Sequence, residues 1–134
     1  FAGPRTEESW IKACQDEDID VIVGGKMTHD GFSTSEGGII SPLSSGLIYR
    51  RAAMLGVTSF VMPPNDFDFY KSVLDDIGRF SKEKPIIFSP GFGARGHNTN
   101  IYTDIPIIGR AIYQSSDPNK ETLNWYKKLF KEKE

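Results

Sequence analysis

The sequence predicts an α/β fold in which parallel strands alternate with helices. Four short apolar runs rich in β-branched residues alternate with segments that carry apolar residues at helical spacing. Strict alternation of this kind is typical of parallel strands joined by right-handed crossovers. One strand in about every 33 residues is the pitch of a (β/α)8 (TIM) barrel, which needs about 250 residues. The 134 residues are therefore predicted to form a single domain, 1–134, that supplies about four βα units of such a barrel.

Local signals place each element along the chain. Thr6 is a suitable N-cap for a first helix that ends near Gln15, since acids follow it in the first turn. The other predicted elements are a strand at 19–25, a helix from Ser44 or Ser45 to a stop at Gly56, a strand at 58–62, a helix opened by Asn65 or Asp66, strands at 86–89 and 105–109, and a last helix that starts at Ser116-Asp117-Pro118. We expect that last helix to bury Leu123, Tyr126, Leu129 and Phe130, and both Trp10 and Trp125 to be packing residues.

A doubly wound α/β sheet is the main alternative fold. Its glycine fingerprint would follow the first strand and be accompanied by an acidic residue about 20 positions later. Gly24-Gly25 has no third spaced glycine after it, and the better glycine loop follows the third strand. The half-barrel is therefore preferred. Because four parallel strands cannot close a barrel, the other half must come from further sequence, a companion chain or self-association.

Composition excludes several classes of protein. The formal net charge of −2 and the pI of about 5.7 argue against a general nucleic-acid binder. No apolar run approaches the roughly 18 residues that a membrane span needs. Cys14 is the single cysteine, so an internal disulfide is excluded and a reducing cytosol is favoured. No cluster of His, Cys or Asp has metal-site spacing. We expect a cytoplasmic protein with neither a nucleic-acid nor a membrane partner.

The stretch from Pro85 to Tyr113 predicts an anion site. Two buried strands within it each end in a loop that offers glycine and arginine. Glycine lets backbone N–H groups approach a ligand closely, and arginine supplies a planar fork of donors. Two ordinary strands with ordinary turns are the alternative. In barrels the phosphate site is typically built after strands seven and eight, so these strands are interpreted as numbers five to eight.

Two segments in this stretch resemble the orotidine 5′-phosphate decarboxylase family. SPGFGARG at 89–96 and IIGRAIY at 107–113 are similar to the family's S-P-G-x-G-A-Q-G and I-x-G-R-x-I-Y segments, with similar spacing. KMTHDG at 26–31 looks like the segment after strand five, and FAGPRTEESWIKAC at 1–14 looks like the end of strand four and its helix. The resemblance covers essentially the whole chain but only the C-terminal half of the family's barrel.

The resemblance implies roles for particular residues. Arg110 and the Gly109 backbone would hold the substrate's 5′-phosphate, with Arg95 reaching it from the preceding loop. Thr28 would hydrogen-bond the pyrimidine amide. The whole substrate-binding set implied is Thr28, Pro90, Gly91, Phe92, Gly93, Ala94, Arg95, Gly96, Gly109 and Arg110.

Three departures from the family pattern accompany this match. Arg95 replaces a glutamine, and Asp30 stands where proline is frequent. The family's catalytic Asp/Lys network surrounds a D-x-K-x-x-D motif after strand three, with one Asp lent across a dimer interface. That motif is absent from these 134 residues. Lys26 with Asp30 follows a different strand at a different spacing, so no catalytic residue is predicted in this chain.

The leading hypothesis is cofactor-free decarboxylation of orotidine 5′-phosphate (OMP) to UMP in pyrimidine biosynthesis. The complementary N-terminal half would come from the same or a companion chain, and the assembly would be a homodimer. Two alternatives stay open. One is another phosphosugar-barrel decarboxylase or aldolase, and the other is a non-catalytic half-barrel that binds a phosphate ligand.

Overall fold

A computed structural model describes residues 4–27, 29, 31–64, 66–92 and 103–131. It confirms the alternation of helices with parallel strands. The elements are α1 (Pro4–Asp16), β1 (Ile22–Gly24), a 3-10 turn (Thr34–Glu36), α2 (Pro42–Met54), β2 (Ser59–Val61), α3 (Phe67–Phe80), β3 (Ile86–Pro90), β4 (Ile105–Ile107), α4 (Arg110–Tyr113), α5 (Pro118–Tyr126) and a terminal π turn (Lys127–Lys131). No helix in the described ranges is long and apolar enough to cross a membrane.

The four strands form one parallel sheet in the order β1-β2-β3-β4. Each strand therefore pairs with the next one along the chain, as consecutive strands of a (β/α)8 barrel do. One row of the register aligns Val23 with Phe60 and Ile87, and the neighbouring row aligns Gly24, Val61, Phe88 and Ile105. Side chains in neighbouring rows point to opposite faces of the sheet.

The hydrophobic core lies between one face of this sheet and the helices. Phe60, Met62 and Ile87 project from the sheet and are at most 1% exposed. The helical residues that complete the cluster are Ile11, Tyr49, Ala52, Ala53, Tyr70, Val73 and Ile77. Burial of this apolar area is the main source of stability for the helix–sheet layer.

The opposite face of the sheet is left open in the described part of the chain. Ile22, Ile86, Ile105 and Ile107 belong to this face by register, and each is 41–48% exposed. We call these four residues the open sheet face. A closed barrel would bury them in its interior, because inward-facing side chains fill the barrel core. Helices on one face and an apolar second face are what four consecutive βα units of a (β/α)8 barrel present.

Several predicted helix boundaries are confirmed. The carboxylate of Asp66 accepts a hydrogen bond from Phe69 N–H at 3.1 Å and caps α3. Asp117 caps α5 in the same way, and Pro118 occupies its first turn. Gly56, with φ of +84°, terminates the helical turn after α2.

Two helix starts were placed too late. The first helix begins at Pro4, ahead of Thr6, and α2 begins at Pro42, ahead of Ser44 and Ser45. Proline needs no N–H partner and has a helical φ, so both helices extend back to it. Ser45 instead lies inside α2 and is 2% exposed.

The prediction for the last helix was largely wrong. Leu129 is buried, but Leu123, Tyr126 and Phe130 are 60%, 52% and 46% exposed. Since β4 is the edge of the described sheet, no further strand lies beside it to take these side chains. Trp10 is likewise 56% exposed at the other edge, where it lines a cavity of about 370 Å³ between α1 and β1.

Candidate functional site

The candidate site lies where the parallel strands end, because all four carboxyl ends meet at one edge of the sheet. We call this edge the carboxyl rim. Its described residues are 25–27 after β1, 62–64 and Asp66 after β2, 91–92 after β3 and 108–110 after β4.

Two predicted site segments leave the rim side by side. Pro90 at the end of β3 is the register partner of Ile107 at the end of β4. The turn at Gly91 and the Gly109-Arg110 step therefore start from neighbouring positions. Gly91 has φ of +97°, a conformation that side-chain-bearing residues rarely adopt. The described starts of the two predicted loops are thus neighbours in the fold.

The strands beneath these loops are tied together at their opposite ends. Asp104 Oδ2 accepts a hydrogen bond from Ile87 N–H at 2.9 Å, and Asp104 N–H donates to Ile87 O at 3.1 Å. Thr103 Oγ1 also donates to Ile87 O, at 3.0 Å. Lys84 Nζ lies 3.7 Å from the same carboxylate. This network fixes where β4 starts and therefore where Arg110 emerges.

Arg110 is exposed at the start of α4. Within the described ranges it forms no salt bridge, whereas Arg50 pairs with Asp76 and Arg51 with Glu7. Its neighbour Gly109 has φ of −105°, and a Cβ there would lie 3.8 Å from Tyr113 Cε1. The described surroundings therefore do not require glycine at that position for steric reasons.

Phe92 is held inside the protein. It is 2% exposed, and its ring meets Trp125 edge-on with centroids 6.5 Å apart. This contact attaches the glycine turn after β3 to α5. The Trp125 Nε1 atom is buried without a hydrogen-bond partner in the described part of the chain. The role of Phe92 beside a ligand stays a prediction, as do those of Pro90, Gly91, Gly109 and Arg110.

The other predicted site residues fall outside the described ranges. They are Thr28, Gly93, Ala94, Arg95 and Gly96. In the residues that are described, no group of three or more His, Cys, Asp or Glu side chains could hold a metal ion.

A second charged cluster occupies the other end of the rim. Lys26 Nζ lies 2.6 Å from Asp66 Oδ2 and 4.6 Å from the centroid of the Phe69 ring. Sequence reasoning considered Lys26 together with Asp30, which lies outside the described ranges, and among the described residues Lys26 pairs with Asp66. Predicting Asp66 as a helix cap was the nearest sequence signal to this pair.

Asp66 has a lowered pKa. Its partial burial works to raise the pKa, but the hydrogen bonds from Lys26 and Phe69 N–H, with the charge of Lys26, outweigh burial. The carboxylate is therefore ionised at neutral pH and neutralises the ammonium beside it. Burial raises the pKa of Tyr49, partly offset by backbone hydrogen bonds at Gly25 and Lys26, so its hydroxyl stays protonated.

Comparison with known proteins gives a consistent result. No protein-family model matches the sequence. The orotidine 5′-phosphate decarboxylase of Methanosphaera stadtmanae is 30% identical over an alignment of 122 residues, and the match covers 86% of this chain and 52% of that protein. The chain thus spans about half the length of the curated relative it matches.

Solved structures show the same fold. The orotidine 5′-monophosphate decarboxylase of Methanocaldococcus jannaschii, complexed with the inhibitor BMP, aligns with a TM-score of 0.68 over 95% of this chain and 69% of that one. The Sulfolobus solfataricus enzyme aligns with a TM-score of 0.71 over 92% and 55%. Both are 21% identical in sequence, so the likeness concerns the fold.

Proposed function

We propose that the chain belongs to the orotidine 5′-phosphate decarboxylase family and supplies the phosphate- and pyrimidine-binding loops of such an enzyme. The proposed reaction is cofactor-free decarboxylation of OMP to UMP in pyrimidine biosynthesis. The protein is an enzyme, a lyase, at the level of its family. Its 134 residues contain no D-x-K-x-x-D segment, so the proposal assigns the proton-transferring residues to the complementary part of the barrel.

The exposed guanidinium of Arg110 is the observation that carries this proposal. It stands at the carboxyl end of β4, beside the Gly91 turn of β3, and has no salt-bridge partner in the described residues. A phosphate dianion offers oxygens that match the planar fork of arginine, and such charge-assisted hydrogen bonds are among the stronger ones. An unpaired arginine on the active-site edge of a barrel is therefore suited to a phosphate ester.

Phosphate binding would contribute to the rate as well as to affinity. The dianion is remote from the carbon that loses carbon dioxide. Binding energy from a non-reacting group can be used to order loops and to exclude water around the reacting centre. We therefore expect loss of the proposed contact between Arg110 and the phosphate to lower kcat/KM strongly.

The open sheet face supports the proposal that a second half completes the barrel. Four large apolar side chains on one face are partly exposed, and this chain covers only 52% of the matched relative. The complementary N-terminal half, in the same or a companion chain, would cover Ile22, Ile86, Ile105 and Ile107. It would also pair with the free edges of β1 and β4. The assembled enzyme is proposed to be a homodimer.

The test is OMP decarboxylation by the assembled barrel with Arg110→Ala. We expect a loss in kcat/KM of about 100- to 1000-fold, the usual cost of removing one donor from a charge that it stabilises. Arg79→Ala is the matched control, because Arg79 is 73% exposed on α3 and is bound only loosely to Asp76, at 3.7 Å. Wild-type turnover by the Arg110 variant would contradict the assignment.

Measurements on the same assembled barrel distinguish two alternative functions. A different phosphosugar decarboxylase or aldolase would ignore OMP but turn over another sugar phosphate in a substrate screen. A non-catalytic half-barrel is favoured by the absence of the Asp/Lys motif from these residues. It would bind UMP without turnover and would lose that binding with Arg110→Ala.

A further inference from the structure

Lys26 and Asp66 connect the first two loops of the carboxyl rim. Lys26 follows β1 by two residues, and Asp66 lies five residues after β2 and opens α3. Their charged atoms are 2.6 Å apart, and the Lys26 side chain is only 13% exposed. The ammonium lies 4.6 Å from the centroid of the Phe69 ring, so a carboxylate and an aromatic ring both hold it.

The backbone of the β1 loop is fixed at the same place. Lys26 N–H donates to Tyr49 Oη at 3.2 Å, and the Tyr49 hydroxyl donates in turn to Val61 O at 2.7 Å. Tyr49 is fully buried and its ring contacts both Phe60 and Phe69. One buried hydroxyl therefore joins the loop after β1 to the last residue of β2.

Gly25 brings this loop close to α2. A Cβ at Gly25 would lie 2.7 Å from Ser45 O and 2.8 Å from Tyr49 Cε2, distances that real Cβ atoms essentially never show. The loop therefore leaves the sheet in close contact with the helix behind it. Gly25 and Lys26 together give the loop three independent attachments.

The two carboxylate oxygens of Asp66 bind different partners. Its Oδ1 accepts the Phe69 N–H hydrogen bond that caps α3, and its Oδ2 binds Lys26. The position of Lys26 is thus tied to the start of a helix and not to a movable surface side chain. Buried ion pairs add little net stability compared with apolar residues of similar size, and their best-attested use is to specify geometry.

We propose that Lys26–Asp66 is a positioning pair that sets the pyrimidine-binding end of the site and takes no part in phosphate binding. This inference rests on the proposed function, in which Thr28, two residues beyond Lys26 and outside the described ranges, contacts the pyrimidine. Lys26 acts through the loop it holds, since its ammonium is neutralised by Asp66 and largely covered. Arg110 lies at the far side of the sheet, two strands beyond β2.

The experiment measures affinities of the assembled barrel for UMP and for inorganic phosphate. In Asp66→Asn the amide oxygen can still cap α3, while the charge pair is lost. We expect UMP affinity to fall about 10-fold and phosphate affinity to stay within about 2-fold, with KM for OMP raised more than kcat is lowered. Lys26→Met should behave in the same way, and Lys26→Arg should restore most of the affinity.

Asp76→Asn is the matched control. Asp76 also pairs with a basic side chain, Arg50, but the pair joins α2 to α3 away from the rim. Any change there should appear in the thermal midpoint and leave the ratio of UMP to phosphate affinity unaltered. Lys26→Met keeps the Asp66 cap, so it tests the proposal even if Asp66→Asn fails to fold.

The outcomes separate the two proposals. A wild-type assembly that does not bind UMP overturns the proposed function and this inference together. If the wild type binds UMP and both variants keep its UMP-to-phosphate ratio, the proposed function stands and the positioning pair is overturned. An equal loss of affinity for UMP and for phosphate keeps that ratio and counts as the same result, since it describes general destabilisation of the protein.

Discussion

The two ends of the carboxyl rim each carry a cation, and the protein holds the two cations in opposite ways. At the β4 end, Arg110 is exposed and has no salt-bridge partner in the described residues. At the β1 end, Lys26 is largely buried, paired with Asp66 and covered by Phe69. An exposed, unpaired charge can exchange its water for an anionic ligand. A buried, paired charge organises the protein around it.

Backbone packing also differs between the two ends, and it is tighter at the β1 end, where the cation is buried. Gly25 is pressed against α2, whereas the nearest described atom that a Cβ at Gly109 would meet is Tyr113 Cε1, at an ordinary contact distance of 3.8 Å. The β1 end is therefore preorganised by close packing, and the β4 end is packed less tightly at the glycine beside its arginine. Glycine thus stands next to both cations for different reasons. Close packing requires it at position 25, and at position 109 it leaves the backbone accessible.

Gly25→Ala and Gly109→Ala compare the packing of the backbone at the two ends of the rim. We expect Gly25→Ala to cause the larger loss in the free energy of unfolding. A methyl group at position 25 would collide with a backbone carbonyl and with the Tyr49 ring. Overpacking of this kind typically costs about 1–3 kcal/mol. At position 109 the nearest atom is 3.8 Å away, so the free energy of unfolding should change by less than about 0.5 kcal/mol.

Urea unfolding of the two glycine variants checks this prediction. Equal losses of stability would show that the two ends are packed alike and would remove the distinction. The order of the two variants should be reversed for UMP affinity. Gly109→Ala should weaken UMP binding more than Gly25→Ala does, because its methyl group stands beside Arg110, close to the proposed phosphate position.

Tyr49→Phe tests the hydroxyl that joins β1 to β2. The variant removes the donor to Val61 O and the acceptor of Lys26 N–H while leaving the ring in the core. We expect a loss of about 1–2 kcal/mol in the free energy of unfolding, since two partly buried backbone groups lose a partner. Tyr113→Phe is the counterpart at the β4 end. Tyr113 is 66% exposed, and its variant should be near neutral in the same unfolding experiment.

The smallest predicted effect is on acid stability. Because the pKa of Asp66 is lower in the folded protein, the contribution of its charge is fully present above the ordinary aspartate pKa of about 3.9. That contribution is lost as the pH falls below this value and through the folded-state pKa. The Asp66 side chain is 41% exposed, so solvent screens part of the effect.

Thermal midpoints of the wild type and Asp66→Asn between about pH 6 and 3 measure this contribution. The difference between the proteins should shrink toward acid pH, since protonation of Asp66 removes what the substitution removes. A constant difference across the range would show that the Lys26–Asp66 charge pair does not contribute. Arg110→Ala should leave the pH profile of stability unchanged, because no carboxylate pairs with Arg110 among the described residues.

Much of the fold could be predicted from local signals. Asp66 and Asp117 cap the helices that their sequence context indicated, and alternating elements indicated a parallel sheet. The starts of α1 and α2 were missed because the serine and threonine signals competed with a proline a few residues earlier. The exposed face around Leu123 and Tyr126 could not be predicted, since helical spacing does not say whether a neighbouring element exists to bury it.

The candidate site was predictable only in part. Gly91 and Arg110 were predicted from residue type and spacing, and the strands that precede them end side by side, while their contact with a ligand stays a prediction. The Lys26–Asp66 pair escaped sequence reasoning because its partners are 40 residues apart. No spacing rule connects such positions, and the nearer Asp30 was the only acid that sequence proximity suggested.

By itself, the sequence determined the alternation of strands and helices, several helix caps, the glycine and arginine loops and the resemblance to the decarboxylase family, because each depends on residues close together in the chain. Only the tertiary structure decided which cation is paired and which is exposed, and which face of the sheet is covered. Those properties depend on contacts between β1, β2 and the helices behind them. Chain segments far apart in sequence set the burial and the electrostatic environment of each charge, so local patterns could not show that Lys26 is held by Asp66 while Arg110 is left exposed.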